Sequence, residues 1–505
     1  MDVVGLEGEY QNILFMIIIF TGFLPCFYYF QVPYLTKNPN FLVKKLKSEN
    51  PNQIYEMEFS PELCDSTLYE IQKDPKTSVI NWSYTYDLYC QKEGYNTIIT
   101  SLIFVGGSIG ILMISPLPDK YGRANVLKYI TIISLILHLN LLFITGPNHL
   151  ILINFFGGIF SSILNIGFGL FTEFFPKNKN GFYIGIYNAL FPLLGILLCI
   201  FFYFSNSWRL LYFITSTMHA YYTFITWKYM IESPRWLHSI GNKEKCIWAL
   251  TEISFYNKRV EDWNNFQKNN KELINRLGTP FLELEENNSN INNLKENIKI
   301  NKTYNILDIL RLKSQRKIFI KLTINSICSS YNYYGIILNL GKMKGNFYLN
   351  SIFAFLGELI AEFLTGFYSD KFGRIKILII SCIIGTFGYI SYIISPSFKF
   401  IFIFIAMLGY SGILNTNSIY APEIYPTKIR NIMSSASSFL SRIGPICVPI
   451  FSQKFPNLID YSFVISGIVI GLIGSTLEET LGMPRKDIIP EEEYNDNLKN
   501  KLLNK

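Results

Sequence analysis

The chain has 505 residues, of which 50% are apolar and only 16% are charged, and its mean hydropathy is +0.24. That balance falls outside the range of soluble domains and makes a bilayer the expected solvent. The formal net charge of +8 would suit an acidic partner in a soluble protein. In a membrane chain it fits basic loops that hold orientation, and nothing supports nucleic-acid binding.

Apolar runs long enough to cross about 30 Å of hydrocarbon recur from Ile13 to Gly474. Each is expected to be a helix, because lipid offers no partner for an open backbone. The first, about 11–34, follows an acidic start and lacks a small-residue cleavage site at Phe30-Gln31-Val32-Pro33, so it is expected to stay in the mature protein. A polar insertion follows, about 36–95, carrying the N-glycosylation sequon Asn81-Trp82-Ser83. It also holds Cys64 and Cys90, which can bond on an oxidising face but which sequence alone leaves undecided.

Further runs lie near 96–118, 125–145, 150–172, 182–204 and 209–230. Gly106, Gly107 and Gly110 read as close helix contacts, not as a phosphate loop. A second polar segment, 231–316, is rich in Asn, Lys and Glu, and its low-complexity stretch around Glu285–Asn293 need not fold. Six more runs follow near 317–340, 347–369, 377–395, 400–420, 431–453 and 460–477, and 481–505 is left as a tail. Cys26, Cys199, Cys328, Cys382 and Cys447 fall within these runs and read as small buried hydrophobes.

The expected fold is therefore an all-α membrane protein with twelve transmembrane helices in two six-helix bundles, 1–230 and 317–480. The breaks at Asp119–Lys128, Arg374–Lys376 and Lys428–Arg430 and the 231–316 segment are basic, whereas Gly146–His149 carries neither Lys nor Arg. With an even helix count, that asymmetry predicts both termini in the cytoplasm, with the plasma membrane as the expected location.

The second half repeats the first. Asp119-Lys-Tyr-Gly-Arg123 recurs as Asp370-Lys-Phe-Gly-Arg374, an offset of 370 − 119 = 251. Glu173-Phe-Phe-Pro176 recurs as Glu423-Ile-Tyr-Pro426, an offset of 423 − 173 = 250. Two motifs sharing one offset mark duplicated halves. This pattern resembles the major facilitator superfamily. Within it, Glu232-Ser-Pro-Arg235-Trp236, Tyr333-Tyr334-Gly335, Pro422 to Arg430, Trp82 with Asp87 to Cys90, and Glu479-Thr480-Leu481-Gly482 resemble the organic cation/anion/carnitine transporter family. The chain departs from the pattern with fewer cysteines in the outer loop and with Asn180 where an arginine is expected. The resemblance implies alternating access. It also implies gating charges at Asp119, Arg123, Glu173, Glu232 and Arg235 in the first half and Asp370, Arg374, Glu423 and Arg430 in the second, with ion pairs of the two turns closing the inner gate.

Charges inside the membrane each cost about 2.5–3.5 kcal/mol on insertion scales and are rarely idle. Arg442 lies about 11 residues into the eleventh run, and Glu358 lies 12 residues before Asp370. At 1.5 Å per residue these are about 16 and 18 Å deep. Glu362 is one turn from Glu358. In the resembling family the position matching Arg442 is acidic in cation-selective members and arginine in anion-selective ones. Arg442, Glu358, Glu362, Tyr333 and Tyr334 are thus the candidate substrate site, with Tyr331 as a further candidate lining residue. The expected solute is a small organic anion or zwitterion such as the monocarboxylate pantothenate, and the glutamates can carry coupling protons. A salt bridge between Arg442 and a glutamate is the structural alternative.

Other readings are an organic-cation transporter using Glu358 and Glu362, a sugar porter, or a non-transporting receptor or scaffold acting through 231–316. Sugar is demoted because the seventh run presents Asn325 and a Tyr-Asn-Tyr-Tyr cluster where sugar porters present glutamines. No P-loop and no clustering of the four histidines with each other or with cysteines points to an enzyme, a metal site or a cofactor.

Overall fold

Twelve helical spans run through the computed structural model. It describes residues 2–5, 8–45, 54–57, 60–75, 78–90, 94–175, 180–205, 207–271, 274, 313–395, 397–426 and 429–482. Spans 1–6 are Glu9–Phe30, Tyr95–Ile114, Arg123–Asn140, the pair Pro147–Phe160 and Ile163–Phe174, Asn180–Phe204, and Trp208–Tyr229. Spans 7–12 are Lys313–Asn339, Phe347–Phe372, Arg374–Ile394, Lys399–Ile424, the pair Arg430–Ser441 and Ile443–Lys454, and Ile459–Gly474. Seven of the described helices are individually long and apolar enough to cross a bilayer. The others fall short because spans 4 and 11 are broken, spans 6 and 7 carry many polar residues, and span 12 is short.

Both breaks have local causes. Pro445 has no N–H, and its ring collides with the carbonyl four residues back, which ends the first piece of span 11 at Ser441. In span 4, Ser161 and Ser162 turn their hydroxyls onto the carbonyls of Gly158 (2.6 Å) and Ile159 (2.8 Å), competing with the helical ladder. Spans 2 and 4 approach closely: a methyl at Gly106 or Gly110 would strike the carbonyl oxygen of Phe155 or Ile159. These glycines act as the close helix contacts read from the sequence.

The outer insertion holds a small sheet that the sequence reading did not place. Strands β1 Phe41–Lys45, β2 Ile54–Met57 and β3 Tyr69–Lys73 pair antiparallel in the order β2-β1-β3, with Val43 opposite Tyr55 and Ile71. Phe41, Val43 and Leu63 form its core, and a Cys64–Cys90 disulfide closes the loop with Cα atoms 5.5 Å apart. The sequon reading needs correction. Asn81 is fully buried, and its side-chain nitrogen donates to the carbonyls of Tyr34 (2.7 Å) and Lys37 (2.8 Å), so it offers no acceptor for a glycan.

The described part of the 231–316 segment also folds. Helices Lys243–Tyr256 and Val260–Asn269 dock on the start of span 1, where Asn257 donates to the carbonyls of Val4 (2.9 Å) and Gly5 (3.2 Å) and accepts from the Tyr10 N–H (3.0 Å). Trp236 of helix Pro234–Ser239 donates instead to the Asp119 carbonyl (2.9 Å) in the turn after span 2. The low-complexity stretch around 285–293 and the tail beyond Gly482 lie outside the described residues. Cys199 and Cys382 are buried as expected, Cys328 is half-buried and Cys447 is exposed.

The two halves meet in their outer parts, on the side of the 36–95 insertion, where span 2 packs on span 11 and span 5 on span 8. Ser101 donates to the Ile446 carbonyl (3.2 Å), Tyr348 to the Phe202 carbonyl (3.1 Å) and Cys199 to the Tyr348 carbonyl (3.4 Å).

Candidate functional site

At the opposite, inner end the duplicated motifs build duplicated charge clusters. Gly122 and Gly373 turn the chain at φ of +93° and +102°, values that suit glycine, and each hands over directly to a helix start. In the second half Arg374, 9% exposed, makes a two-pronged contact with Glu423, Nε to Oε2 and Nη2 to Oε1, both at 3.0 Å. Its Nη2 also pairs with Asp370 (2.9 Å), and Nη1 donates to the Ser369 carbonyl (3.0 Å). In the first half Arg123 pairs with Glu173 and, at 3.4 Å, with Asp119. These pairs lie within one half, not across the gate, and each ties the inner ends of three spans together.

A second carboxylate completes each cluster by capping a helix. Glu232 accepts from the backbone N–H groups of Arg123 (2.9 Å) and Ala124 (3.2 Å) at the start of span 3. Glu479 accepts from Arg374 (2.9 Å) and Ile375 (3.0 Å) at the start of span 9, where the helix dipole favours an anion. Burial alone would raise the Glu479 carboxyl, but four backbone N–H donors outweigh it and hold the group below the usual carboxylate range. The sequence reading holds Glu479 only as part of a motif, not as a site residue. The signal was present, since 479 − 232 = 247 nearly repeats the duplication offset. Arg235 is exposed at the first turn of its short helix, and Arg430 opens span 11, half-buried. Asn180 opens span 5.

Midway through the bundle, Arg442 sits at the break in span 11. Its guanidinium lies 5.5 Å from the centre of the Tyr29 ring and within electrostatic reach of the Tyr29 and Tyr334 hydroxyls. Its Nη1 is buried without a hydrogen-bond partner. Tyr29 stacks on Phe104 with ring centres 4.9 Å apart, Tyr334 packs edge-on to Phe104 at 4.9 Å, and Tyr333 lies 4.8 Å from Tyr334. Tyr29 is anchored by Ser161 at 2.7 Å. The arginine is therefore embraced by aromatics from both halves.

Glu358, 4% exposed, receives the Tyr333 hydroxyl at 2.7 Å on one oxygen, while its other oxygen is buried without a partner. Glu362 is half-buried one turn away. Among the described residues no ion pair joins Arg442 to either glutamate, so the internal salt bridge considered as an alternative does not form. Tyr331 points elsewhere: its hydroxyl meets Ser462 at 2.6 Å and its ring packs on Phe463. Asn325 is held by Asn417 at 2.8 Å. Tyr29 and Phe104 were missed, because only helix packing across the halves brings them to Arg442.

The histidine reading also needs correction. His138 of span 3 and His219 of span 6 lie with ring centres 5.6 Å apart, both buried, bonded to Thr215 (2.9 Å) and Ser134 (3.0 Å). Among the described residues no group of three or more metal-ligating side chains assembles.

Comparison with known proteins agrees with this architecture. The Major Facilitator Superfamily family model matches residues 78–343 and 322–478. Similar proteins include solute carrier family 22 member 6-B of Xenopus laevis, 25% identical over 471 residues that cover 90% of this chain and 79% of the relative. Organic cation/carnitine transporter 4 of Arabidopsis thaliana is 26% identical over 413 residues, covering 80% and 74%. Among solved structures, the inward open conformation of the xylose transporter XylE from E. coli superposes with a TM-score of 0.62 at 12% identity, covering 93% of this chain and 96% of that one. With its duplicated halves and twelve spans, the chain belongs to the Major Facilitator Superfamily of multi-pass membrane transporters, a family of non-enzymes, and its relatives are organic cation/anion/carnitine transporters.

Proposed function

We propose that the chain is a secondary active transporter of a small organic anion or zwitterion, such as the monocarboxylate pantothenate, working by alternating access. The observation that carries this reading is Arg442: a cation in the middle of the bundle, flanked by tyrosines of both halves, with a buried N–H unspent and, among the described residues, no carboxylate paired to it. A guanidinium so placed matches a carboxylate with two parallel hydrogen bonds, and a solute bound there touches spans 1, 7 and 11 together. Glu358 and Glu362 are the groups that would carry a coupling proton. The inner clusters of Asp119, Arg123, Glu173 and Glu232, and of Asp370, Arg374, Glu423 and Glu479, keep each half rigid while it rocks, with Arg235 and Arg430 as further gating charges beside them. In this reading both termini face the cytoplasm of a plasma-membrane protein.

A second reading, an organic-cation transporter, draws on the unpartnered oxygen of Glu358. Uptake of radiolabelled pantothenate, benzoate and choline into proteoliposomes, with and without an imposed pH gradient, separates them. Arg442→Ala is expected to abolish carboxylate uptake. Carboxylate uptake that persists at the parent rate with normal protein yield, or choline uptake lost in Glu358→Gln alone, would overturn the anion reading.

A further inference from the structure

A cavity of about 720 Å³ lies between the halves in their outer part, a size that suits a small organic ligand. Its walls come from both halves: Lys37 and Thr97 from the first, and Lys342, Lys344 and Gln453 from the second. Among the described residues that line it are these three lysines and no aspartate or glutamate. The ammonium of Lys342 donates to Ser452 at 3.0 Å, which in turn donates to Asn339 at 2.9 Å, so the charge is held in place by neutral groups. Lys37 lies 4.5 Å from the centre of the Phe347 ring. Other charges near the walls have partners of their own: Asp87 accepts from the Tyr89 hydroxyl at 2.8 Å and pairs with Lys73, and does not line the cavity. Lys399 donates to the Tyr392 carbonyl at 3.0 Å, and Asp460 is taken up by the Tyr389 hydroxyl at 2.7 Å; neither lines the cavity.

The cavity stands directly outside the Arg442 site. Thr100 and Leu338 line it, and each lies four residues, or about 6 Å along its helix, from Phe104 and Tyr334 of the aromatic cluster. Cations at the mouth of a low-dielectric cleft raise the local concentration of anions.

We propose that this cavity is an anion-collecting vestibule, in which Lys342 and Lys344 hold the acidic group of an organic monoanion before it passes inward to Arg442. The proposal rests on the anion reading for the identity of the solute, but its electrostatics can be tested alone.

Gln453→Cys puts a thiol on the vestibule wall, in a Cys447→Ser background that removes the exposed native thiol. On the purified full chain in detergent, modification rates are measured with the anionic sulfonatoethyl and the cationic trimethylammonioethyl methanethiosulfonates. Two ammonium groups on the same cavity wall, within about one Debye length (about 8 Å) of the thiol in about 0.15 M salt, favour the anionic reagent several-fold. Replacing Lys342 and Lys344 by Gln is expected to remove that preference, and replacing both by Arg to keep it. Millimolar benzoate should slow the anionic reagent, and choline should not. A preference that survives the two Gln substitutions, or equal protection by choline, overturns the proposal. Arg442→Ala should leave the preference intact, so failure of the central-site reading appears in uptake and failure of the vestibule appears in labelling.

Discussion

Arg374 has two acidic partners whose contributions should differ several-fold. Glu423 faces it with two bonds of 3.0 Å, the arginine side chain being 11% exposed and the glutamate 26%. Asp370 approaches as closely, at 2.9 Å, but is 71% exposed. A hydrogen bond to a charged group contributes about 1.5–3 kcal/mol net, and an exposed ion pair about 0–1 kcal/mol. Glutamine at 423 keeps one acceptor and loses the charge, so Glu423→Gln should destabilise the second half by about 2–4 kcal/mol, and Asp370→Asn by at most about 1 kcal/mol. All six tryptophans lie in residues 82–263 and cannot report on this half. Chemical unfolding in detergent should therefore be followed by far-UV circular dichroism, with hydrogen exchange at the inner ends of spans 8–10 read by mass spectrometry. About 1 M salt should erase the Asp370 effect and leave most of the Glu423 effect. If Asp370→Asn costs as much as Glu423→Gln, the ranking by burial and two-pronged geometry is wrong.

Two further outcomes follow from groups described above. Asn81 spends its amide on two carbonyls, so protein made in a glycosylating host should show no mass change on deglycosylation at this residue, and Asn81→Ala should destabilise the outer loop by about 1–3 kcal/mol. The Glu479 carboxyl titrates below its unfolded value of about 4.3, so its stabilising contribution is complete above that pH. The contribution is lost as pH falls through the lower, folded value. Glu479→Gln should flatten this acid limb of the unfolding curve while leaving the neutral region with a constant offset; an unchanged acid limb would refute the assignment.

The twelve spans were legible because lipid allows few alternatives: an apolar run near 20 residues has to become a helix, whatever its neighbours do. The inner clusters were legible because duplication wrote them twice, and Glu479 was within reach of the same offset. The central site was half legible. An arginine and a glutamate in apolar surroundings announce themselves by cost, but Tyr29 and Phe104 are ordinary aromatics until span packing sets them against Arg442. His138 and His219 are 81 residues apart, by 219 − 138, and no local pattern foretells their approach. The strands of the outer sheet sit in a polar loop where pairing is long-range, and Cys64 and Cys90 gave a bond only once that sheet brought them together. Asn81 shows the reverse case, where a sequon read as a surface signal serves as a buried cap.

The contacts that join the halves are of another kind from those that hold each half. Ser101, Tyr348 and Cys199 reach across to backbone carbonyls, neutral bonds that contribute about 0.5–1.5 kcal/mol each, and Arg442 and Lys37 rest on aromatic rings of the opposite half. The described ion pairs, by contrast, lie within one half or, as Lys258 to Glu9, tie the 231–316 segment to the first half. No described ion pair between the halves has to break when the seam parts. With no described ion pair between the halves to screen, the ionic composition of the medium has little hold on the rocking equilibrium itself. Salt should act on capture of the solute and leave the mechanical step almost untouched.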